Sequence, residues 1–595
     1  MLNKLALSGI KHRLRDYSVL FSGLIIASAI FYMFMSLATN SSFLKSNSPA
    51  QATSFIYGFG AVLLAIITIV YINYANGFLL SMRQKEYGMF MMLGAKSSKI
   101  SKMIFVETFT IGAIATVLGS VIGIVATSFV SQLIIKSLDM KVTHFNSFYL
   151  PALLITFAFF IVIFIFSALK NSISIRRTKV LTLLHKDSQP ARIKKNKALK
   201  VFQVILGIVF LGIGYGTMIV MGSNPVLIYL GVPVALFTIV IGTYFMINAV
   251  IIAVISALKR NKKFSQKGLN NFTLSQLSFR ISDYTKILSM VAMMFALALG
   301  AITVGLGFQN QISTVVDGQN YYDVTVNNIN NSQQKRIDKL NTKQVVTYSY
   351  KASKGTVYYQ ASEFKKTPFK YQKFNMKSMI GKTSSTTDPS NADVSYELLN
   401  NNLPRYRTSK ISVVDGAKFD SIDSKANSLT LVKTKSFNKD LATIKKINQS
   451  EQKRYPELKG SGASKYDAYV MVNGIFSGLE FMGLFLGIAF LAMLASCLMF
   501  KILSGASSDV KRYNMLYKIG TRTKVLRSNI NKEIAVLFAV PAGLGIIHVL
   551  IGLQMFSKIL YKPYMNIEIP FGIFIILYLG YYFVTRYLYK KIVLK

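Results

Sequence analysis

Tryptophan is absent from this chain, cysteine occurs once, and aspartate and glutamate together number 24 against 69 lysines and arginines in 595 residues. Each shortage excludes something. With Cys497 alone, no intrachain disulfide can staple any part of the fold, so every domain must rely on packing. Without tryptophan, aromatic anchoring at a membrane boundary falls to the 32 tyrosines, among them Tyr71, Tyr149, Tyr578 and Tyr581 near the ends of apolar runs. Histidine is equally scarce, at four, and His548 lies on an apolar stretch with no second histidine nearby to share a metal. No Ser/His/Asp set, paired acidic motif or metal cluster stands out, so neither an enzyme active site nor a bound cofactor is expected. The triplet Gly381-Lys382-Thr383 imitates the end of a phosphate-binding loop, but the first glycine such a loop needs would fall at Met376. Nucleotide chemistry must then come from another chain.

What the sequence has in abundance is apolar length. At 52% hydrophobic and 16% charged residues, the composition is that of an α-helical polytopic membrane protein. Ten runs are long enough to cross a bilayer as helices: 17–37, 55–80, 105–133, 150–169 and 204–221 in the first part, then 227–247, 287–308, 475–500, 534–553 and 571–584. The first run could pass for a signal peptide. Its counterpart after Leu274 is internal, so it is retained as a span.

The distribution of the positive charge sets the expected topology. Between the seventh and eighth runs, residues 309–474 carry 26 Lys/Arg against 14 Asp/Glu. Of the other 43 basic residues, 38 lie at the termini or after the second, fourth, sixth and eighth runs, and five lie in the loops between. The positive-inside rule then makes both termini cytoplasmic and 309–474 extracellular, with membrane lipids rather than nucleic acid as the counterpart of the basic loops. The segment 309–474 reads as an α+β domain: 345–360 alternates β-formers across a Lys-Gly turn as a hairpin, 411–414 and 428–432 are strand-like, and 435–454 is helical. The polar stretch 381–402 reads as a mobile loop. A net charge of +12 suits this domain to anionic groups such as lipid pyrophosphates or wall polymers.

A duplication organises the rest. RQKEYGMFMMLGAK at Arg83–Lys96 returns as DVKRYNMLYKIGTR at Asp509–Arg522, matching Lys85, Tyr87, Met89 and Gly94 with Lys511, Tyr513, Met515 and Gly520. Glu107 and Glu533 follow at the same spacing, and the offset is 426 residues throughout. LSGIKHRLRDY at Leu7–Tyr17 matches LSQLSFRISDY at Leu274–Tyr284 with an offset of 267, pairing Arg13 with Arg280 and Asp16 with Asp283. The difference of 159 residues is a domain's worth of insertion. Each copy predicts a short helix that follows a span and ends at its glycine, with Arg83, Glu86 and Gly88 off a Met89/Met92/Leu93 stripe, presenting both charge and apolar surface. Two such surfaces suit a partner with two-fold symmetry.

The residues RQKEYGMFMMLGA at Arg83–Ala95, GTYF at Gly242–Phe245, FTLSQLSFRISD at Phe272–Asp283 and the stretch Gly483–Gly520 resemble the FtsX-like permeases of ABC transporters, in particular the ten-span bacitracin-export type of Gram-positive bacteria. That resemblance implies two FtsX-like four-helix repeats, two linking helices and an extracellular α+β domain between the seventh and eighth helices. Its domains would be 1–200, the first repeat with a basic cytoplasmic linker; 201–260, the linking helices; 261–308, an amphipathic segment and the seventh helix; 309–474, the extracellular domain; and 475–595, completing the second repeat. It further implies a non-catalytic permease served by a dimeric cytoplasmic ATPase that binds ATP and Mg, a membrane histidine kinase as partner, and resistance to peptide antibiotics through their lipid-linked cell-wall precursor. By the same resemblance Arg83, Lys85, Glu86, Tyr87 and Gly94 would form one ATPase-coupling element, and Asp509, Lys511, Arg512, Tyr513 and Gly520 the other. Intramembrane polar candidates are Glu107, Glu480, Glu533 and His548. Glu107 and Glu533 are expected to pair with Lys102 and Lys532 or another cation, and His548 to find a carbonyl. A sensor without transport and an ion-coupled transporter are the alternatives, the latter disfavoured by the shortage of midplane carboxylates.

Overall fold

The computed structural model describes residues 14–40, 50–137, 146–185, 197–223, 227–375, 380–557, 560 and 562–594. Met376 and Arg13 fall outside them. The chain is mainly helical; among the described residues ten helices are long and apolar enough to span a membrane, and a sheet-containing domain is inserted between the seventh and eighth. The spans are Leu14–Thr39, Ala50–Met92, Ser97–Ser137, Leu150–Arg177 and Lys197–Ser223, followed by a sixth that runs from Ile228 to Arg260 through one π-helical turn, Met246–Ile251. The last four are Asn270–Asn310, Lys465–Lys518, Thr523–Gly552 and Glu568–Val593. Several of them exceed their apolar runs, the eighth by the most. The eighth is 54 residues long, about 80 Å at a helical rise of 1.5 Å per residue, against a hydrocarbon core of about 30 Å. A helix satisfies its own backbone, so it can continue past the bilayer wherever its side chains suit water.

Within the membrane unit the spans approach closely where glycine leaves room. A Cβ on Gly119 of the third span would lie 2.6 Å from the Ile25 carbonyl and against Ser28 of the first, and one on Gly123 would lie 2.8 Å from the Ala29 carbonyl. The second half repeats this contact. Gly545 of the ninth span meets Phe295 of the seventh, positions that correspond to Gly119 and Ser28 by the same two sequence offsets. Tyr71 and Ser496 share a buried hydrogen bond of 3.2 Å that joins the halves at the second and eighth spans.

The inserted domain, Phe308–Ser477, is a separate compact unit. Five strands form a sheet in the order β1-β7-β2-β3-β6: β1 Val324–Asn327, β2 Thr342–Ser353, β3 Thr356–Gln360, β6 Lys410–Val414 and β7 Asn427–Thr434. All neighbours are antiparallel except β3 and β6. The β2–β3 turn at Lys354-Gly355 has φ of 48° and 72°, the left-handed pair that matches the twist of a two-residue hairpin. Tyr348, Tyr350, Tyr359, Phe364 and Leu429 make one core, and the helix Phe437–Arg454 covers another through Ile444 and Ile447. The expectation of a mobile loop over 381–402 is corrected. Residues 380–386 form β5, paired with β4 (Phe369–Asn375), and Ala392–Asn400 is a helix that buries Val394, Leu398 and Leu399. Polar composition misled here because β5, whose residues 381–386 are exposed or half-buried on both faces, has little apolar alternation to show, while its partner β4 buries Phe369 and Tyr371. Asp323 anchors the domain: it accepts from Lys433 Nζ at 3.0 Å, Thr434 N at 2.7 Å, Thr434 Oγ1 at 2.8 Å and Lys465 Nζ. Burial opposes its charge, yet these donors hold its carboxyl below the ordinary value.

Candidate functional site

The duplicated motifs build the same object twice. The second span continues without a break through Arg83 to Met92, and the eighth through Asp509 to Lys518. Each then closes in one pattern: Gly94 N donates to Met91 O at 3.1 Å and Ala95 N to Phe90 O at 2.9 Å; Gly520 N donates to Tyr517 O at 2.9 Å and Thr521 N to Leu516 O at 3.1 Å. With φ of 91° and 95° at the glycines, both are Schellman caps, which need a residue free to adopt the left-handed conformation. An even number of spans separates the tips, so both lie on one side of the bilayer.

Behind each tip lies a buried polar cluster. In the first copy Glu107 of the third span accepts from Tyr87 Oη at 3.1 Å and forms an ion pair with Arg83, which also meets Glu86 at 3.1 Å and lies 5.1 Å from the Tyr87 ring centre. In the second, Glu533 of the ninth span accepts from Tyr513 Oη at 3.2 Å and from Asn529 Nδ2 at 3.2 Å. The tyrosine–glutamate bond is thus conserved between the copies in space as in register. The cation is not. Position 83 corresponds to Asp509, so the charge there is inverted, and Arg280 of the seventh span supplies the counter-ion. Its guanidinium pairs with Asp509, lies 3.5 Å from Glu533 and donates to Tyr589 Oη at 2.7 Å, while Tyr589 donates to Asp509 at 2.5 Å. Arg512 adds a 3.2 Å contact to Asp509.

These contacts redistribute the predicted coupling residues. Arg83 and Asp509 are only 5% and 3% exposed, and Tyr87 and Tyr513 are buried, so they hold the tips and do not present charge at the surface. Lys85, Gly94, Lys511 and Gly520 are exposed, with Glu86 and Arg512 intermediate. Beside these charges the tips expose large apolar side chains: Met89, Met92 and Leu93 on one, Met515, Tyr517 and Ile519 on the other, with Leu93 84% and Ile519 75% exposed. Among the described residues the two glutamates meet another cation, as the sequence also allowed: Arg83 beside Glu107 and Arg280 beside Glu533, while Lys102 is exposed and Lys532 donates to Asn270 Oδ1 at 3.1 Å. Asn529, which donates to Tyr513 and Glu533, and Tyr589, which donates to Asp509, gave no sequence signal, because no spacing in their helices points at the tip. Arg280 was visible only as a register match.

His548 is met by hydroxyls instead of a carbonyl. Thr243 Oγ1, which donates to Ile239 O at 2.6 Å, lies 2.9 Å from His548 Nε2, and Tyr215 Oη lies 2.7 Å from Nδ1. The imidazole thus ties the fifth, sixth and ninth spans together. Glu480 is buried, its backbone carbonyl 3.0 Å from where a Cβ on Gly305 would stand. Among the described residues no group of three or more His, Cys, Asp and Glu could hold a metal.

A ten-span helical protein with paired tips and a sheet domain between its seventh and eighth spans belongs to a recognisable class. Residues 57–180 match the family described as FtsX-like permease C-terminal, so the chain carries an FtsX-like permease domain, and it is a multi-pass ABC transporter permease. Such a permease implies a cytoplasmic ATPase partner, and permease components of this kind are not themselves catalytic. Among its relatives, the ABC transporter permease protein YxdM of Bacillus subtilis (strain 168) is 24% identical over 574 residues, 89% of each chain. The ABC transporter permease YvcS of the same organism is 22% identical over 650 positions, covering 100% of this chain and 99% of that one. The bacitracin export permease protein BceB of Halalkalibacterium halodurans is 24% identical over 313 residues, 51% of this chain and 47% of that protein.

Proposed function

We propose that this permease gives resistance to peptide antibiotics that attack the cell envelope, converting ATP hydrolysis by its partner into movement of the domain 309–474 outside the cell. The observation that carries the reading is the pair of matched, glycine-capped tips that each expose a cluster of large apolar side chains beside their lysines, with a buried ion-paired cluster behind them. Exposed leucine, isoleucine and methionine at a helix end are costly in water and gain by burial in a partner's groove. Two tips from one chain provide the pseudo-two-fold face that a dimeric ATPase requires. Lys85, Glu86, Lys511 and Arg512 flank the apolar contacts as the polar rim, and Gly94 and Gly520 set the angle of the tips.

In this reading both termini are cytoplasmic, the inserted domain is extracellular, and its basic surface meets a peptide antibiotic or the lipid-linked precursor that the antibiotic sequesters. The similarity to a bacitracin export permease over half the chain supports this choice of substrate class. Because ligand binding outside and nucleotide binding inside bias the same conformations, the permease can report to a membrane histidine kinase as well as act.

The test replaces Leu93 and Ile519 by Asp, singly and together, and measures copurification of the ATPase together with survival under bacitracin. Each side chain buries apolar area worth about 1.5–3 kcal/mol, so each change weakens docking roughly tenfold or more, while the permease itself, which does not pack these residues, remains at normal abundance. Full copurification and full protection in the double variant would defeat the proposal.

A further inference from the structure

The seventh span leads into the inserted domain and the eighth leads out of it, and these two helices meet at points spread along their shared length. At one end a Cβ on Gly305 would lie 3.2 Å from Glu480 Cα, and one on Gly483 would press against the Ala301 carbonyl. Gly487 sits against Ile302, with the Ala298 carbonyl 3.0 Å from its would-be Cβ. Further along, Lys501 Nζ lies 4.4 Å from the centre of the Tyr284 ring and 3.5 Å from Asp283, and a Cβ on Gly505 would lie 2.8 Å from Tyr284 Oη. The series ends with Arg280 on Asp509 and with Arg512 donating to Gln276. From 305 to 276 the contacts descend one helix as they advance from 480 to 512 on the other. That is the signature of an antiparallel pair in register over about 40 Å.

Close backbone packing at one end prevents the helices from separating there, but packing alone lets them slide at the other. A buried ion pair with Tyr589 as a third member does not: moving Arg280 away from Asp509 would strand a charge in a low-dielectric site. In the first copy the corresponding glutamate draws its cation from Arg83, on the same helix as the tip, so that pair joins the tip to the third span. The inversion of charge at Asp509 turns the equivalent pair into a link between the tip-bearing helix and the helix that enters the inserted domain.

We propose that Arg280 and Asp509 make the seventh and eighth spans a single shaft, so that the second tip, Asp509–Gly520, is geared to the inserted domain through both of its attachment helices. Arg280 is a positioning residue in this scheme. The proposal rests on the reading above, in which nucleotide closure moves that domain. It makes the two tips unequal: the ATPase protomer under the second tip drives and senses the domain.

The first copy supplies its own control. Combining Asp509→Arg with Arg280→Met places a cation where Arg83 stands, within reach of Glu533, as Arg83 reaches Glu107, and removes the bond between the shafts. The cluster keeps an ion pair while the gearing is lost. The permease copurified with its ATPase and placed in lipid nanodiscs is compared, nucleotide-free and trapped with ATP and vanadate, by deuterium uptake across 309–474. In the unaltered complex uptake changes between the two states. In the double variant ATP hydrolysis stays within about twofold and the change shrinks by about fivefold or more, the scale of a lost coupling energy. An undiminished change in the double variant overturns the shaft while leaving the permease reading intact; no change in the unaltered complex overturns both. If the double variant does not assemble, Asp509→Asn decides, since it keeps the shape and a hydrogen-bonding group for Tyr589: with uptake compared only in the fraction trapped with vanadate on the copurified ATPase, a reduced change supports the shaft, and an unreduced one rejects it.

Discussion

Replacing Glu107 by Gln tests whether the first tip is held by its buried ion pair. The two side chains are each 6% exposed, so the pair lies in a medium where water neither screens the charges nor rescues a stranded one. Exposed pairs are worth about 0–1 kcal/mol, whereas removing one partner of a buried pair costs about 3–5 kcal/mol. Here the loss sits toward the lower figure, because Arg83 keeps Glu86 at 3.1 Å and the amide still accepts from Tyr87. A loss of about 3 kcal/mol multiplies the local opening constant on the order of 10²-fold. Amide exchange read across residues 84–95 should therefore accelerate by that factor, with the exchange of the fourth span nearly unchanged. Arg83→Met combined with Glu107→Leu should recover most of the protection, since a buried pair replaced as a unit by apolar side chains costs little. If Glu107→Gln alone leaves exchange at the tip unaltered, the pair does not hold it and the account of the tips is wrong.

The remaining expectations concern the caps and the inserted domain. Gly94→Ala and Gly520→Ala each force a Cβ into the left-handed region at a cost of about 1 kcal/mol, and because the caps share no contacts the two should add, as read from unfolding midpoints of the single and double variants. Asp323 has a folded pKa below its ordinary 3.8, so its stabilisation is complete at neutral pH and disappears as the pH falls through 3.8 towards the folded value. Asp323→Asn should lower neutral-pH stability of the inserted domain and flatten its acid unfolding curve; an unchanged acid transition would show that Asp323 does not anchor it.

The sequence by itself determined the number of spans, the insertion point of the sheet domain and the existence of two matched tips. These are local properties. A span is written in consecutive apolar residues, a Schellman cap in one glycine after a helical stripe, and a hairpin such as β2–β3 in a Lys-Gly turn between β-formers. Even the glycine contact of Gly119 with Ser28 and its echo at Gly545 and Phe295 follow the two offsets already legible in the chain. What the tertiary structure alone decided is which side chains the tips bury and from where their counter-charges come. Arg83 and Asp509 looked like surface charge because basic and acidic residues near a membrane end usually are; packing against the third, seventh and tenth spans put them inside. Tyr589, Asn529 and Arg280 converge on the second tip from helices tens to hundreds of residues apart, and no spacing rule connects them. An ion pair between helices is a fact about their register, and register between distant segments is fixed by the whole packing rather than by either segment.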